Sequence, residues 1–386
     1  MARNPGTPRL LRRLNDRTAL ELLLADGPLT RAELGERTGL SKVTAGQLLS
    51  RLEERGLVEV AGERAGGRGP HAALYGVVPS SAYVAGLEVL PDSITVGVAD
   101  ITGKIVVEVT VDPSGGKDPV RTVHNAVQRA CASARVSLSQ LRAFVIGTRG
   151  VVDPRTGDVR FSYDLPSWHV GVLASLRQTL GGSVTIENDV NLVALAEHRH
   201  GAAVGYDDFT VVWAGIGQGL GVMLGGRLHR GITGGAGEIG WLPVPGEPLP
   251  ADVTQPQSGS FQRLVGNEAL AGLAAAHGVG GLSVADQVRT AVVKGDDAYL
   301  NEVAARLGVG VAAVAVVLDP GLIVLSGDIG RAGGDELAAK VEKAVARVCP
   351  SEPRVVASRV AGNPVLRGAL VAALEQAREQ VFSDTV

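Results

Sequence analysis

Apolar residues recur at mostly helical spacing near the start of the chain, where Leu10, Leu11, Leu14, Leu20, Leu22, Leu23 and Leu24 fall within residues 9–25. "DGPLT" then stops this first helix with Gly27 and Pro28. Thr30 is a good N-cap for a short second helix, "RAELGERT", and Gly39 supplies a residue able to take positive φ at its end. Ser41 caps a third helix, "KVTAGQLLSRLEERG", and "LVEVAGERAGGRGPHAALYGV" reads as two short strands around a glycine-rich basic tip. From residue 82 the pattern changes. "AYVAGLEVL", "SITVGVAD" and "KIVVEVTVD" predict an antiparallel meander, followed by a helix at about 118–135, a strand in "RAFVIGTRG" and another helix–strand unit. The order βββαβα recurs with strands "FTVVWAG", "GLGVMLG" and "GRLHRG", helices through 265–318, strand "LIVLSG", a helix, strand "RVVASR" and a final helix from 363.

The N-terminal spacing is that of a helix-turn-helix: Gly35 lets two helices cross closely, Leu34, Ala45 and Leu48 fill the junction, and Gly39 makes the corner. The third helix then presents Ser41, Lys42, Thr44, Gln47 and Arg51, a mixture of phosphate and base-edge donors suited to the major groove. Arg64 and Arg68 on the basic tip, a wing, are placed to meet phosphates or enter a minor groove. A trihelical domain with merely solvated polar residues is the plainer reading. The Gly turn, the N-cap and the basic wing occurring together favour DNA. Charge agrees, since residues 1–75 carry a net +3 and the remainder −6.

With 386 residues and 45% hydrophobic content the chain has material for two or three domains. Cys131 and Cys349 stand far apart, which argues against a disulfide framework and makes a reducing cytoplasm the expected compartment. The N-terminus lacks an apolar leader core, and Asp319 and Pro320 break the most apolar stretch, so neither export nor membrane insertion is expected.

Two βββαβα halves around a cleft describe an α/β, actin-like (ribonuclease-H-like) ATPase architecture, which binds ligands at the carboxyl ends of its strands. At one such end stands "SVTIENDVNLVALAEH", where Glu187, Asn188 and Asp189 crowd the tip of an apolar strand. Asn188 and Asp189 are favoured N-cap residues, which accounts for one polar group. Three in succession, with a "GAGEIG" loop elsewhere, favour a site.

"ENDVN", "GIGQGLGVMLGGRLHRG" and "GGAGEIGW", in that order behind a winged helix, resemble the ROK family of repressors, open reading frames and sugar kinases, over about residues 9–380. The resemblance implies that Asp189 matches the kinases' general base and that Asn188 and Glu238 hold sugar hydroxyls. Gly150, Trp241 and Gln262 complete the expected effector site. The chain departs from the kinases at the nucleotide turns: "GLEVLPDSI" keeps Glu88 near the metal-binding Asp but puts Leu90 and Pro91 at glycine positions, and "GIGQG" puts Ile216 where a phosphate-binding Thr belongs. It departs at the family's zinc site too, where Trp241 replaces a His and Val253, Gln255 and Ser260 replace cysteines. His229 and His277 have no partners at ligand spacing.

The expectation is therefore a cytoplasmic, non-enzymatic transcription regulator, most simply a repressor, without zinc or ATP. A DNA-binding domain over residues 1–78 precedes a two-lobed effector and dimerisation domain over 79–386, whose C-terminal helix, 363–380, packs back on the first lobe. Its partners are a palindromic double-stranded operator, a sugar or sugar derivative, and a second copy in a homodimer, with a tetramer as the larger option. The rivals are an ATP-dependent hexose kinase with a DNA-binding extension, and a constitutive DNA-binding protein whose C-terminal part only dimerises.

Overall fold

The computed structural model describes residues 8–65, 71–113, 118–162, 171–250, 252, 255 and 258–383. It begins with helix α1 (Pro8–Asp26), a two-residue strand β1 (Leu29–Thr30), helices α2 (Arg31–Thr38) and α3 (Lys42–Glu54), and strands β2 (Val58–Arg64) and β3 (Ala72–Val77). Local chemistry sets these boundaries. Thr30 and Glu33 form a reciprocal capping box at the start of α2, and Gly39 takes φ 70° beyond its end. Ser41 Oγ accepts the Thr44 N–H at 3.2 Å to open α3. Leu34, Ala45 and Leu48 are buried at the junction, and β3 pairs antiparallel with both β2 and β1.

An interior ion pair also holds α3 to α1: Arg51 Nη2 donates to Asp16 Oδ1 at 2.6 Å, and the Asp16 side chain is completely enclosed. Arg51 is thus tied to Asp16 while remaining about a third exposed, and it lines the same concavity as Lys42 and Gln47. A carboxylate in a helix junction is costly without a cation, and Arg51 supplies it. Arg64 is engaged as well, by Glu33 of the capping box. Arg68 lies outside the described residues.

A short 3-10 turn, Pro79–Ser81, leads into the first lobe: β4 (Tyr83–Val89), β5 (Ile94–Asp100), β6 (Ile105–Val111), α4 (Pro119–Ala134), β7 (Leu141–Thr148), a hairpin of β8 (Val151–Val152) and β9 (Val159–Phe161), α5 (Val172–Leu180), β10 (Ser183–Asn188) and α6 (Asp189–His200). The second lobe has β11 (Phe209–Ala214), β12 (Gln218–Leu224), β13 (Arg227–Leu228), α7 (Ser260–Val265), α8 (Asn267–Ala276), α9 (Val284–Lys294), α10 (Asp297–Leu318), β14 (Leu322–Ser326), α11 (Gly327–Val345) and β15 (Arg354–Ala357). The sheets are ordered β10-β7-β4-β5-β6 and β13-β12-β11-β14-β15. In each, an antiparallel meander continues into two strands parallel to its first. The same order twice is the duplicated actin-like arrangement; the β8–β9 hairpin is an addition that the sequence pattern did not signal.

α10 is apolar, with mean hydropathy 1.6, and by length and composition could cross a bilayer, but half of it is buried and Tyr299, Leu307 and Val311 enter the second lobe's core. The last helix, α12 (Pro364–Ser383), returns to the first lobe and packs on β4, β7 and α6. At Gly368 an added Cβ would overlap the Leu192 carbonyl oxygen of α6, so these helices cross backbone against backbone. At the far end of α12, Arg55 Nη2 donates to the Val381 carbonyl at 2.7 Å. Leu20 and Leu23 of α1, Leu192 and Val193 of α6, and Ala377 and Phe382 of α12 belong to one continuous buried cluster.

Gly368→Ala must force the crossing apart, and chemical denaturation should register a loss of about 3 kcal/mol. Arg51→Ala leaves Asp16 enclosed without its cation and should cost about 2 kcal/mol. Lys42→Ala, on an exposed face, should stay within about 0.5 kcal/mol of the parent.

Candidate functional site

Strand register gathers the site. Val89 of β4 and Asn188 of β10 both stand opposite Thr148 of β7, so three parallel strands end level with one another. Glu88, Arg149 and Asp189 therefore stand close together on adjoining strand ends. In the second lobe Trp213 pairs with Ser326, which brings Gly215 and Asp328 to the matching edge of the other sheet. The two edges face each other across the cleft.

The three polar residues at the β10 tip divide the work. Glu187 is buried; its Oε1 accepts from the Asn188 N–H and from Asn191 Nδ2, each at 2.9 Å, and its Oε2 accepts from Arg230 Nε at 2.6 Å. Asn188 is the N-cap of α6: its Oδ1 accepts the Val190 and Asn191 N–H groups at 2.9 and 3.1 Å, while its Nδ2 donates to the Gly150 carbonyl at 3.1 Å. Asp189 is left to the cavity. Burial pushes its carboxyl up to about 7, with Arg149 and the Val190 N–H opposing and Glu88 and Glu238 adding to the rise.

All six residues expected at an effector site, Gly150, Asn188, Asp189, Glu238, Trp241 and Gln262, line one cavity of about 150 Å³. Glu238 is positioned by Gly237, which takes φ 100° and leaves no room for a Cβ against the Leu220 carbonyl. Burial raises the Glu238 carboxyl as well. Gln262 is committed to structure, since its Nε2 donates to the Ile216 carbonyl at 2.8 Å and so fixes the β11–β12 turn. Arg149, Gln218 and Asp328 line the same cavity and were not singled out from the sequence. Arg149 and Asp328 each follow a strand by one or two residues, a position that could have flagged them.

The cleft continues toward a second cavity of about 560 Å³ lined by Ile216, Arg289, Asp328 and Arg331. On the first-lobe side of this region, the Leu90 N–H is used internally, donating to the Ser93 carbonyl at 2.8 Å, and Pro91 has none to offer. Glu88 is drawn sideways by Asn363 Nδ2, which donates to its Oε2 at 2.5 Å. Burial raises this carboxyl, with the Asn363 bond and Arg149 opposing. Asp328 stands in the first turn of α11 and lines this cavity. At the family's zinc positions, Ser260 Oγ donates to the Pro248 carbonyl and Gln255 offers no thiolate, while Val253 lies outside the described residues. Among the described residues no group of three or more His, Cys, Asp or Glu converges as metal ligands.

On the winged helix, Lys42 and Gln47 are exposed on the outer side of α3, whereas Ser41 and Thr44 are occupied with the cap, their hydroxyls 2.9 Å apart. Arg31, the first residue of α2, joins this face: its side chain lies against Gly46 and lines the same concavity as Lys42 and Gln47. Sequence spacing gave no sign of that, because Arg31 belongs to the preceding helix.

Comparison with known proteins agrees with this geometry. The MarR family model matches residues 14–69 and the ROK family model residues 84–376. The N-acetylglucosamine repressor of Escherichia coli O157:H7 is 26% identical over 247 residues, covering 63% of this chain and 60% of the relative. The chain thus spans about three fifths of the length of the curated relatives it matches. A crystal structure of a ROK family transcriptional regulator, a homologue of the E. coli MLC protein, shares the fold at TM-score 0.76 and 18% identity, covering 97% of this chain and all of that one. A ROK hexokinase from Thermus thermophilus matches at TM-score 0.61 and 28% identity, covering 76% of this chain and 98% of its own. With its family model spanning both lobes, the chain belongs to the ROK family.

Proposed function

We propose that this protein is a cytoplasmic transcription regulator, a repressor in its simplest form, that binds operator DNA through its winged helix and answers to a sugar or sugar derivative held in the interlobe cleft. The observation that carries this reading is the shared core: α6 and α12 begin in the cleft and belong to the same buried cluster as α1 of the winged helix. A ligand that bonds Asp189 or alters the Glu88–Asn363 contact acts directly on the starts of those two helices. To regulate, it must bind one arrangement of the lobes better than the other, and the shift is limited by that difference.

The chemistry of the cavity suits a carbohydrate. Asp189 and Glu238 offer carboxyl groups to hydroxyls, and the indole of Trp241 offers an apolar face to a sugar ring. Phosphoryl transfer is disfavoured, because catalysis of that kind rests on cradling and neutralising phosphates. Leu90, Pro91, Glu88 and Asp328 supply neither. The protein accordingly works without ATP or zinc. The kinase reading retains one favourable observation, a carboxyl at Asp189 poised near neutrality as a general base would be.

The regulator acts as a homodimer, matching the two-fold symmetry of operators read by such modules. The outward side of α10, where Val309, Val316 and Val317 are exposed, is the face this reading gives to the second copy.

A panel of sugars and sugar phosphates screened by melting temperature should yield a stabilising ligand, and Asp189→Asn should weaken its binding about tenfold or more. Hydroxyls bond best to the ionised carboxylate, so affinity in the parent should rise about tenfold between pH 6 and pH 8 as Asp189 loses its proton. The asparagine variant should lose most of this rise, keeping only what Glu238 contributes. With ATP, magnesium and a hexose panel the protein should give no turnover; turnover that Asp189→Asn abolishes would establish the kinase instead.

A further inference from the structure

The outer face of α3 is polar except at one place. Val43 is 70% exposed, although the buried side of the helix is filled by Ala45, Leu48, Leu49 and Leu52. It sits in the first turn, where the Ser41 cap fixes the backbone. Gln47 stands four residues on, hence on the same face one turn away. Arg31, Lys42, Gln47 and Ser50 share one shallow concavity with Val43, together with Glu54 and with Arg51, whose guanidinium is paired with Asp16. Neither Arg31 nor Lys42 takes part in an ion pair among the described residues. Two available cations thus flank an amide and an isopropyl group.

That combination fits the major groove of B-DNA. The cations meet phosphates, the amide can bond an adenine edge in bidentate fashion, and the thymine C5-methyl is the apolar group the groove presents. The spacing agrees: four residues of helix rise roughly 6 Å, against roughly 3.4 Å per base pair along the duplex. We propose that Val43 reads a thymine methyl in each operator half-site, with Gln47 facing an adenine one or two base pairs away. The inference rests on the reading of the winged helix as an operator-binding module and adds to it the kind of base pair recognised.

The test uses duplexes selected by the full-length protein from a randomised pool, with each thymine then replaced in turn by deoxyuridine, which deletes only the methyl group. At one thymine per half-site the replacement should weaken binding about fourfold, the value of one buried methyl-sized contact. Val43→Ser, with its side chain in solvent, should keep the parental melting temperature and lose the response to uracil at that position while keeping it elsewhere. Parent and variant responding alike at every position would overturn the proposal and leave operator binding intact. A pool from which no sequence is enriched would overturn operator binding itself and the proposal with it.

Discussion

The crossing of α6 and α12 at Leu192 and Gly368 is the constraint on which the molecule turns. Because a Cβ cannot be accommodated there, the two helices are joined backbone to backbone, and packed interiors move between discrete arrangements more readily than they deform. Each helix starts at the cleft: α6 at the Asn188 cap, α12 at Asn363, whose Oδ1 accepts the Leu366 N–H at 3.0 Å and whose Nδ2 holds Glu88. Both belong to the buried cluster that contains α1. Cleft and winged helix are therefore neighbours in one core.

Within the cleft, the strand-end cluster separates structural from chemical duty by burial. Glu187 is tied to Asn191 and Arg230, Asn188 serves as cap and as tether to Gly150, and Asp189 alone of the three keeps its carboxyl for the cavity. Cap and site are thus served by consecutive residues. Beside it, the Leu90 N–H is bonded within its own turn, Glu88 is held by Asn363, and α11 opens on an acidic first turn.

Much of this was legible in the sequence wherever the governing physics is local. The Thr30–Glu33 box, the Ser41 cap, the Gly39 corner and the β-rich runs of both lobes are set by residues a few positions apart, and they form where the pattern predicts. The misses are long-range. The Arg51–Asp16 pair spans 35 residues, and the Asn363–Glu88 bond spans 275 residues. Arg31 joins the α3 face only because α2 and α3 cross. No periodicity encodes such partners; the tertiary fold brings them together.

The most direct test of a shared core linking cleft to operator is reciprocity. Operator affinity measured with and without a saturating cleft ligand should differ by about tenfold or more, and the operator should change the ligand's affinity by the same factor. Operator affinity left unchanged while the cleft is demonstrably full would contradict the account.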